Sequence, residues 1–360
     1  RKIYADKKFY RVRCKRMNDL NNLDKSNFRQ FIIDTPSQFK VGMSLAKNTK
    51  VEGNFTSVTV SGVGGSALPA NLLRAYCNSF FKTHLEHKLF EIYVNRYYTL
   101  PPEAQNQDSL NLISSYSGTT EEAISSLEEV RRLNLPFIGI SSGGKIEELC
   151  REYGIPHVKL PIPYPNYQPR MGTGYFFGAM FQILINQGLV PDLTNEITAS
   201  AQRFNDYMKL YEENGRNLAK KINGKTPVIY ASPRYKSVAM VWKIKLNENA
   251  KTPAFWNFFP ELNHNEMVGF TNPQAKFFII MLRDREDHPR NLKRYETTAN
   301  LLKSKGIESE IIDMDGDDVF SKIFLSITYA DWTSYYLALE YGQDPTPVDM
   351  VEELKKILAS

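Results

Sequence analysis

Small hydroxyl residues crowd one short stretch, Ser114-Ser115-Tyr116-Ser117-Gly118-Thr119-Thr120, between an apolar run and a helix-like segment that opens on Glu121-Glu122. A helix start uses one such residue as its N-cap. The remaining hydroxyls, grouped with the free N–H donors of a helix N-terminus, suit a phosphate dianion. Ser141-Ser142-Gly143-Gly144-Lys145 repeats the pattern after the next apolar run. A third turn, Ser61-Gly62-Val63-Gly64-Gly65-Ser66-Ala67, has the glycines that let a backbone approach a ligand closely. Its Gly62-x-Gly64-x-x-Ala67 spacing also matches a dinucleotide fingerprint. The following strand ends in Asn95-Arg96 instead of a ribose-binding acid, which leaves an NADP-type reading and a plain tight turn both open.

Acid–base groups stand elsewhere. Glu248 lies in Asn247-Glu248-Asn249 at the end of a helical stretch, where the helix dipole disfavours a carboxylate. His264 lies in Pro260-Glu261-Leu262-Asn263-His264-Asn265-Glu266, a dense group of proton-transfer side chains. Arg170 follows a segment with prolines at 161, 163, 165 and 169 and precedes Met171-Gly172-Thr173-Gly174, a stiff approach with a flexible exit. Metal and nucleotide chemistry find little support. His84 and His87 have helical spacing but no third ligand close in sequence. The three cysteines form no CxxC pair, which fits a reducing cytosol, and no P-loop is present.

The elements that must hold these residues follow a rhythm. Short apolar strands at 58–61, 89–94, 110–114, 137–141 and 157–160 alternate with helices at 67–81, 121–133 and 145–153. After a long helical stretch from 172 to about 216, the rhythm resumes with strands at 227–231, 277–281 and 307–313 and helices at 235–250, 291–305 and 319–340. Such alternation predicts parallel sheets covered on both faces, an α/β fold in two similar units. The expected division is a basic tail over 1–16, a first unit over 17–190 with a leading helical segment, a helical linker over 191–225, a second unit over 226–343 and a C-terminal helix over 344–360. The net charge of +5 comes from the tail, where eight Lys or Arg meet one Asp, so the remainder is slightly acidic. The tail reads as foreign to the native chain, with Met17 a more ordinary start. No apolar run reaches membrane-span length and no secretory leader is expected. Neither a nucleic-acid partner nor a membrane is therefore expected, and the expected location is the cytoplasm.

The serine loop Ser115-Tyr-Ser117-Gly-Thr-Thr120 resembles the phosphate loop of sugar isomerase (SIS) domains. The Gly64-Gly65-Ser66 turn, Ser142-Gly-Gly-Lys145, Pro169-Arg170, Pro260-Glu-Leu-Asn-His264-Asn-Glu and Asp344-Pro-Thr-Pro-Val resemble one branch, the bifunctional phosphoglucose/phosphomannose isomerases, from roughly residue 30 to 358. The resemblance implies two SIS-type subdomains and an aldose–ketose isomerase that interconverts fructose 6-phosphate with glucose and mannose 6-phosphates, without cofactor or metal. Ser66, Ser115, Ser117 and Thr120 would hold the phosphate. Gly64, Gly65 and Arg170 would stabilise an enediolate, and Glu248 would be the base. His264, sixteen residues further on, would open the sugar ring from the partner subunit of a homodimer. Lys355 would assist at the ring oxygen, and Thr346 would lie near the sugar. The family's Ala-rich stretch after Pro-Arg is replaced here by Met-Gly-Thr-Gly. A phosphosugar sensor without turnover is the alternative; it would keep the hydroxyl loops and lack the Glu and His in register.

Overall fold

The computed structural model describes residues 23–87 and 89–358. The expected basic tail, Cys14 and the start of the leading segment lie outside the described residues. Two all-parallel sheets form. The first has the order β2-β1-β3-β4-β5, from β1 (Ser57–Ser61), β2 (Glu91–Asn95), β3 (Ser109–Ser114), β4 (Phe137–Ser141) and β5 (His157–Lys159). The second has the order β7-β6-β8-β9, from β6 (Thr226–Ala231), β7 (Phe255–Phe258), β8 (Phe277–Arg283) and β9 (Glu308–Asp313).

Alternation along the strands sends side chains to two faces. Val58, Val60, Leu110 and Leu112 of the first sheet join Ile229, Ala231, Ile280 and Leu282 of the second in one shared core. The helices between the sheets are α1 (Phe28–Leu45), α2 (Leu68–Thr83), α5 (Thr173–Asn186), α6 (Thr194–Ile222), α7 (Lys236–Ala250) and α9 (Val319–Glu340). The outer face of the first sheet is covered by α3 (Glu121–Arg132) and α4 (Gly144–Tyr153), and that of the second by α8 (Pro289–Ser304). A last helix, α10 (Asp349–Leu358), buries none of its residues.

Three local readings change. The leading segment, expected from 18 to 49 as an irregular helix interrupted at Pro36, instead holds, among its described residues, the single helix α1 running unbroken through Pro36, because its buried face packs on α5 and the central aromatic cluster, where Phe39 meets Phe177 and Phe324. The long helical stretch is two helices, parted by Gly188 and Pro191; its later part α6, within the expected linker, contributes Phe204 and Leu218 to the shared core. Strand β7 is four residues of an aromatic run with no readable period.

In each sheet the strand order reverses once, between β1 and β3 and between β6 and β8, and ligands of parallel sheets bind at such points outside the C-terminal strand ends. The second crevice is filled by its own chain. Asp284, just past β8, is buried and accepts from Lys322 Nζ at 2.8 Å, Tyr235 Oη at 2.8 Å and the Glu286 N–H at 3.0 Å. Arg234 adds an ion pair at 3.4 Å. Burial pushes the Asp284 carboxyl up, but the Lys322 ammonium and these donors win and hold it below its ordinary value. A carboxylate thus sits where the first crevice is lined by hydroxyls and backbone N–H groups. Because that carboxyl is depressed, its stabilisation is present at neutral pH and fades as the pH falls below about 4. Lys322→Met, which leaves Asp284 buried without its main partner, is expected to cost about 3–5 kcal/mol in urea unfolding at neutral pH.

Candidate active site

The first crevice is walled by two turns. Ser66 lies in a 3-10 turn, Gly64–Ser66, after β1, and its hydroxyl accepts the Tyr116 N–H at 2.9 Å. This bond ties the glycine turn to the serine loop that follows β3. In that loop Ser115 Oγ meets Thr120 Oγ1 at 2.7 Å and accepts the Gly118 N–H at 3.1 Å. Ser115 is buried, Thr120 half-buried and Ser117 exposed on the rim, where its hydroxyl accepts from Thr119 Oγ1 at 3.0 Å. Ser66, Ser115, Ser117 and Thr120 therefore share one crevice. The second serine loop turns inward. Ser142 Oγ donates to the Tyr116 carbonyl at 2.6 Å, and Ser141 bonds His157 at 2.8 Å; it braces the first loop.

Gly65 brings the crevice against Arg170. A Cβ at position 65 would sit 2.5 Å from the Arg170 backbone nitrogen and 2.8 Å from the Pro169 carbonyl carbon, both fixed backbone. Gly62 packs on the Ser114 carbonyl in the same way, 2.4 Å from such a Cβ. Of the two glycines that match a dinucleotide fingerprint, Gly62 thus serves a contact within the protein, while Gly64 meets nothing within 4 Å and supplies the φ of 54° that the turn requires.

Arg170 sits in a short turn, Pro169–Met171, and is fully buried. Its Nε donates to Asn249 Oδ1 at 2.6 Å, and its Nη2 donates to the carbonyls of Pro345 and Thr346 at 2.9 and 2.8 Å. Nη1 lies 3.2 Å from Glu248 Oε2 as an ion pair and has no hydrogen-bond acceptor among the described residues. Burial pulls the guanidinium below its ordinary value, while Glu248 and Asp331 oppose that pull; arginine still keeps its charge. The Arg170 carbonyl accepts from Lys245 Nζ at 3.0 Å and from Thr173 Oγ1 at 3.1 Å. Lys245 in turn pairs with Asp331 at 2.7 Å, both side chains buried. The Met-Gly-Thr-Gly departure from the family pattern is taken up by this inward bond of Thr173.

Glu248 is 31% exposed, on the last turn of α7, with Lys245 and Asn249 on the adjoining buried face. Thr346 is buried, and its hydroxyl has no hydrogen-bond partner among the described residues. So Glu248, Arg170, Gly65 and Thr346 come together. His264 and Lys355 do not join them within one chain. Helix α7 runs back along the sheet, so Glu248 lies at the N-terminal end of β7, whereas His264 is exposed in the turn beyond its C-terminal end. Lys355 is exposed on α10 and pairs with Glu352 at 2.7 Å. The acids flanking His264 are already engaged: Glu266 accepts from Tyr230 at 2.5 Å and from Asn257, and Glu261 accepts from Asn265 at 2.8 Å. His84 is satisfied by the Phe80 carbonyl at 2.9 Å and stacks on that ring. Among the described residues no three His, Cys, Asp or Glu side chains form a metal-holding group.

Lys245, Asn249, Lys251 and Asp331 escaped the sequence reading. The lone Asp in the largely apolar helix α9 was the available signal for a buried charge, whereas Lys245 is one of three lysines in α7 and carried none. Lys251, at φ 55°, caps α7 and donates to the carbonyls of Glu248, Asn249 and Pro345 at 2.8, 3.2 and 3.0 Å. Partial burial, and next the Arg170 charge, bring its ammonium down to about 8 against the pull of nearby acids. Holding that charge costs stability below pH 8, and the cost is relieved as the pH rises toward lysine's ordinary value. The same rise removes one N–H from the three-carbonyl clamp. Turnover is expected to show an alkaline limb near pH 8 that disappears in Lys251→Arg, as measured by the pH profile of kcat.

A family profile described as "Bacterial phospho-glucose isomerase C-terminal SIS domain" matches residues 211–358. The bifunctional phosphoglucose/phosphomannose isomerase of Caldicellulosiruptor bescii is 34% identical over 334 residues, 89% of this chain and 94% of that protein. The enzyme of the same name from Aquifex aeolicus is 31% identical over 84% of this chain and 91% of its own length. The C-terminal domain of glucosamine-fructose-6-phosphate aminotransferase from Francisella tularensis shares the fold, with a TM-score of 0.66 at 14% identity over 89% of this chain and 98% of that one. The hydroxyl-lined turns, the Arg170–Glu248 pair and these likenesses converge: the chain has the double-SIS fold and belongs to the bifunctional phosphoglucose/phosphomannose isomerase family.

Proposed function

We propose that this chain interconverts fructose 6-phosphate with glucose 6-phosphate and mannose 6-phosphate, as the names of its relatives indicate. The observation that carries the reading is the buried Arg170 guanidinium 3.2 Å from a partly exposed Glu248 carboxylate, with Gly65 of the hydroxyl-bearing turn packed on the Arg170 backbone. Two SIS-type subdomains, 17–190 and 226–343, joined by 191–225 and closed by 344–360, supply the two walls.

Ser66, Ser115, Ser117 and Thr120 hold the 6-phosphate, which anchors the substrate while its first carbons rearrange. Ring opening precedes proton transfer. His264, offered by the partner subunit of a cytoplasmic homodimer, protonates or deprotonates the ring oxygen and anomeric hydroxyl, with Lys355 at the ring oxygen. The position of His264 at the far end of β7 from Glu248 supports a partner origin. Glu248 takes the proton α to the carbonyl at C1 or C2 and returns it to the neighbouring carbon. The cis-enediolate formed between these steps carries negative charge on oxygen. Arg170 and the Gly64-Gly65 turn stabilise it, with donors already fixed in place before charge develops. Thr346, whose hydroxyl is buried beside Arg170, contacts the sugar. Return of the proton to either face of C2, after rotation about C2–C3, gives the two aldose epimers. No step uses a metal or cofactor.

Incubation with fructose 6-phosphate in EDTA is expected to yield both glucose and mannose 6-phosphates in a discontinuous assay. Phosphosugar binding without either product would replace the isomerase with a sensor. Glu248→Gln is expected to lower kcat by at least about 1,000-fold while phosphosugar binding, followed by calorimetry, persists; full activity in that variant would mean another base.

A further inference from the structure

Helix α10 presents every one of its residues to solvent, yet its apolar side chains lie together: Met350, Val351, Leu354 and Leu358 form one stripe at helical spacing. A ten-residue helix is too short to persist on its own in water. Asp349 and Glu353, one turn apart, edge the stripe on one side.

A matching groove of about 330 Å³ lies between α8 and the 3-10 turn Glu266–Thr271. Arg290, Lys293 and Arg294 line the half nearer the start of α8, and Met267 and Leu301 supply apolar lining; the lining holds no acidic side chain. The two surfaces match in sign and in gradient when the helices run parallel. The acids in the first half of α10 then face the bases in the first half of α8, and Leu354 and Leu358 face Met267 and Leu301.

The same chain cannot fill its own groove. Thr346 is tied to Arg170, and only Pro347 and Val348 separate it from α10, a tether of about 7 Å. Thr346 and Glu248 lie at the N-terminal end of β7 on the inner side of the sheet, whereas the groove runs along α8 on the outer side, so the sheet stands between them.

We propose that α10 docks into the α8 groove of a second copy of this chain, as a reciprocal clasp between the subunits. The proposal rests on the homodimer of the functional reading and adds the surface that joins it. Leu354→Cys chains co-expressed with Met267→Cys chains, or Leu358→Cys with Leu301→Cys, are expected to give a covalent dimer under mild oxidation. With Cys14→Ser in every chain, each variant alone should stay monomeric on a non-reducing gel, since Cys77 and Cys150 are buried. Arg290→Glu with Lys293→Glu in the groove is expected to lower the cross-linked yield at least five-fold, and Asp349→Lys with Glu353→Lys in α10 to restore it. A dimer in sedimentation with no cross-link from either pair overturns the docking and leaves the homodimer standing. A monomer in sedimentation overturns both. Cross-linking within one chain when both cysteines of a pair are placed together also overturns the docking.

Discussion

A fully buried guanidinium organises this molecule. Arginine cannot shed its charge in a protein interior, so burying Arg170 requires acceptors around its whole fork. Its partners come from two places distant in sequence: the end of α7, where Asn249 accepts and the Glu248 carboxylate forms an ion pair, and the carbonyls of Pro345 and Thr346. Each acceptor must be held in turn. Asn249 donates to Ser334 of α9 at 2.9 Å, and the Lys245–Asp331 pair fixes the Arg170 carbonyl from the same two helices. The shared core between the sheets is thus also the frame that aims one charge. Losing any of these supports leaves a buried charge less satisfied, which is why the site and the joint between the two halves are energetically one object.

The repeat of two sheets with a reversal in each offers two crevices, and side-chain chemistry decides how each is lined. In the first, hydroxyls and N–H groups line the turns and Gly65 lets the Arg170 backbone close to within contact. In the second, Asp284 supplies the anion from within and Lys322, Tyr235 and Arg234 satisfy it. An anionic ligand at the second crevice would have to displace a carboxylate already bound by cations. The same architecture therefore gives one crevice lined by hydroxyls and N–H groups and one structural lock.

Much of this was legible in the sequence wherever the cause is local. A strand, a glycine or serine turn and a helix follow each other within a few residues, so the elements and the hydroxyl loops could be read directly. The four-residue aromatic strand β7 could not, because it has no period and owes its place to pairing with β6. Pro36 misled because a break expected from the missing N–H is overridden by burial of both ends of α1. The surroundings of Arg170 were illegible for a different reason. Thr346 meets it across 176 positions, and nothing near either residue announces the other. Resemblance placed Arg170, Glu248 and Thr346 in one site, but Asp331, a lone Asp in the largely apolar α9, and Lys245, one of three lysines in α7, needed the fold to be paired.

The position of Glu248 looks unfavourable, since a carboxylate on the last turn of a helix faces the negative end of the dipole. The structure resolves this with the residue that ends the helix. Lys251 takes the left-handed conformation, folds its ammonium back over the terminal carbonyls of Glu248 and Asn249, and reaches Pro345 as well. One cation thereby covers two of the carbonyls that a helix end leaves without partners, offsets the dipole beside the carboxylate, and pins the segment that supplies acceptors to Arg170. Glu248 stands between two positive groups, one on its backbone and one on its side chain. A carboxylate so placed is kept at the mouth of the crevice by forces that do not engage all of its lone pairs, which is the condition under which an acid can be both firmly positioned and free to take a proton.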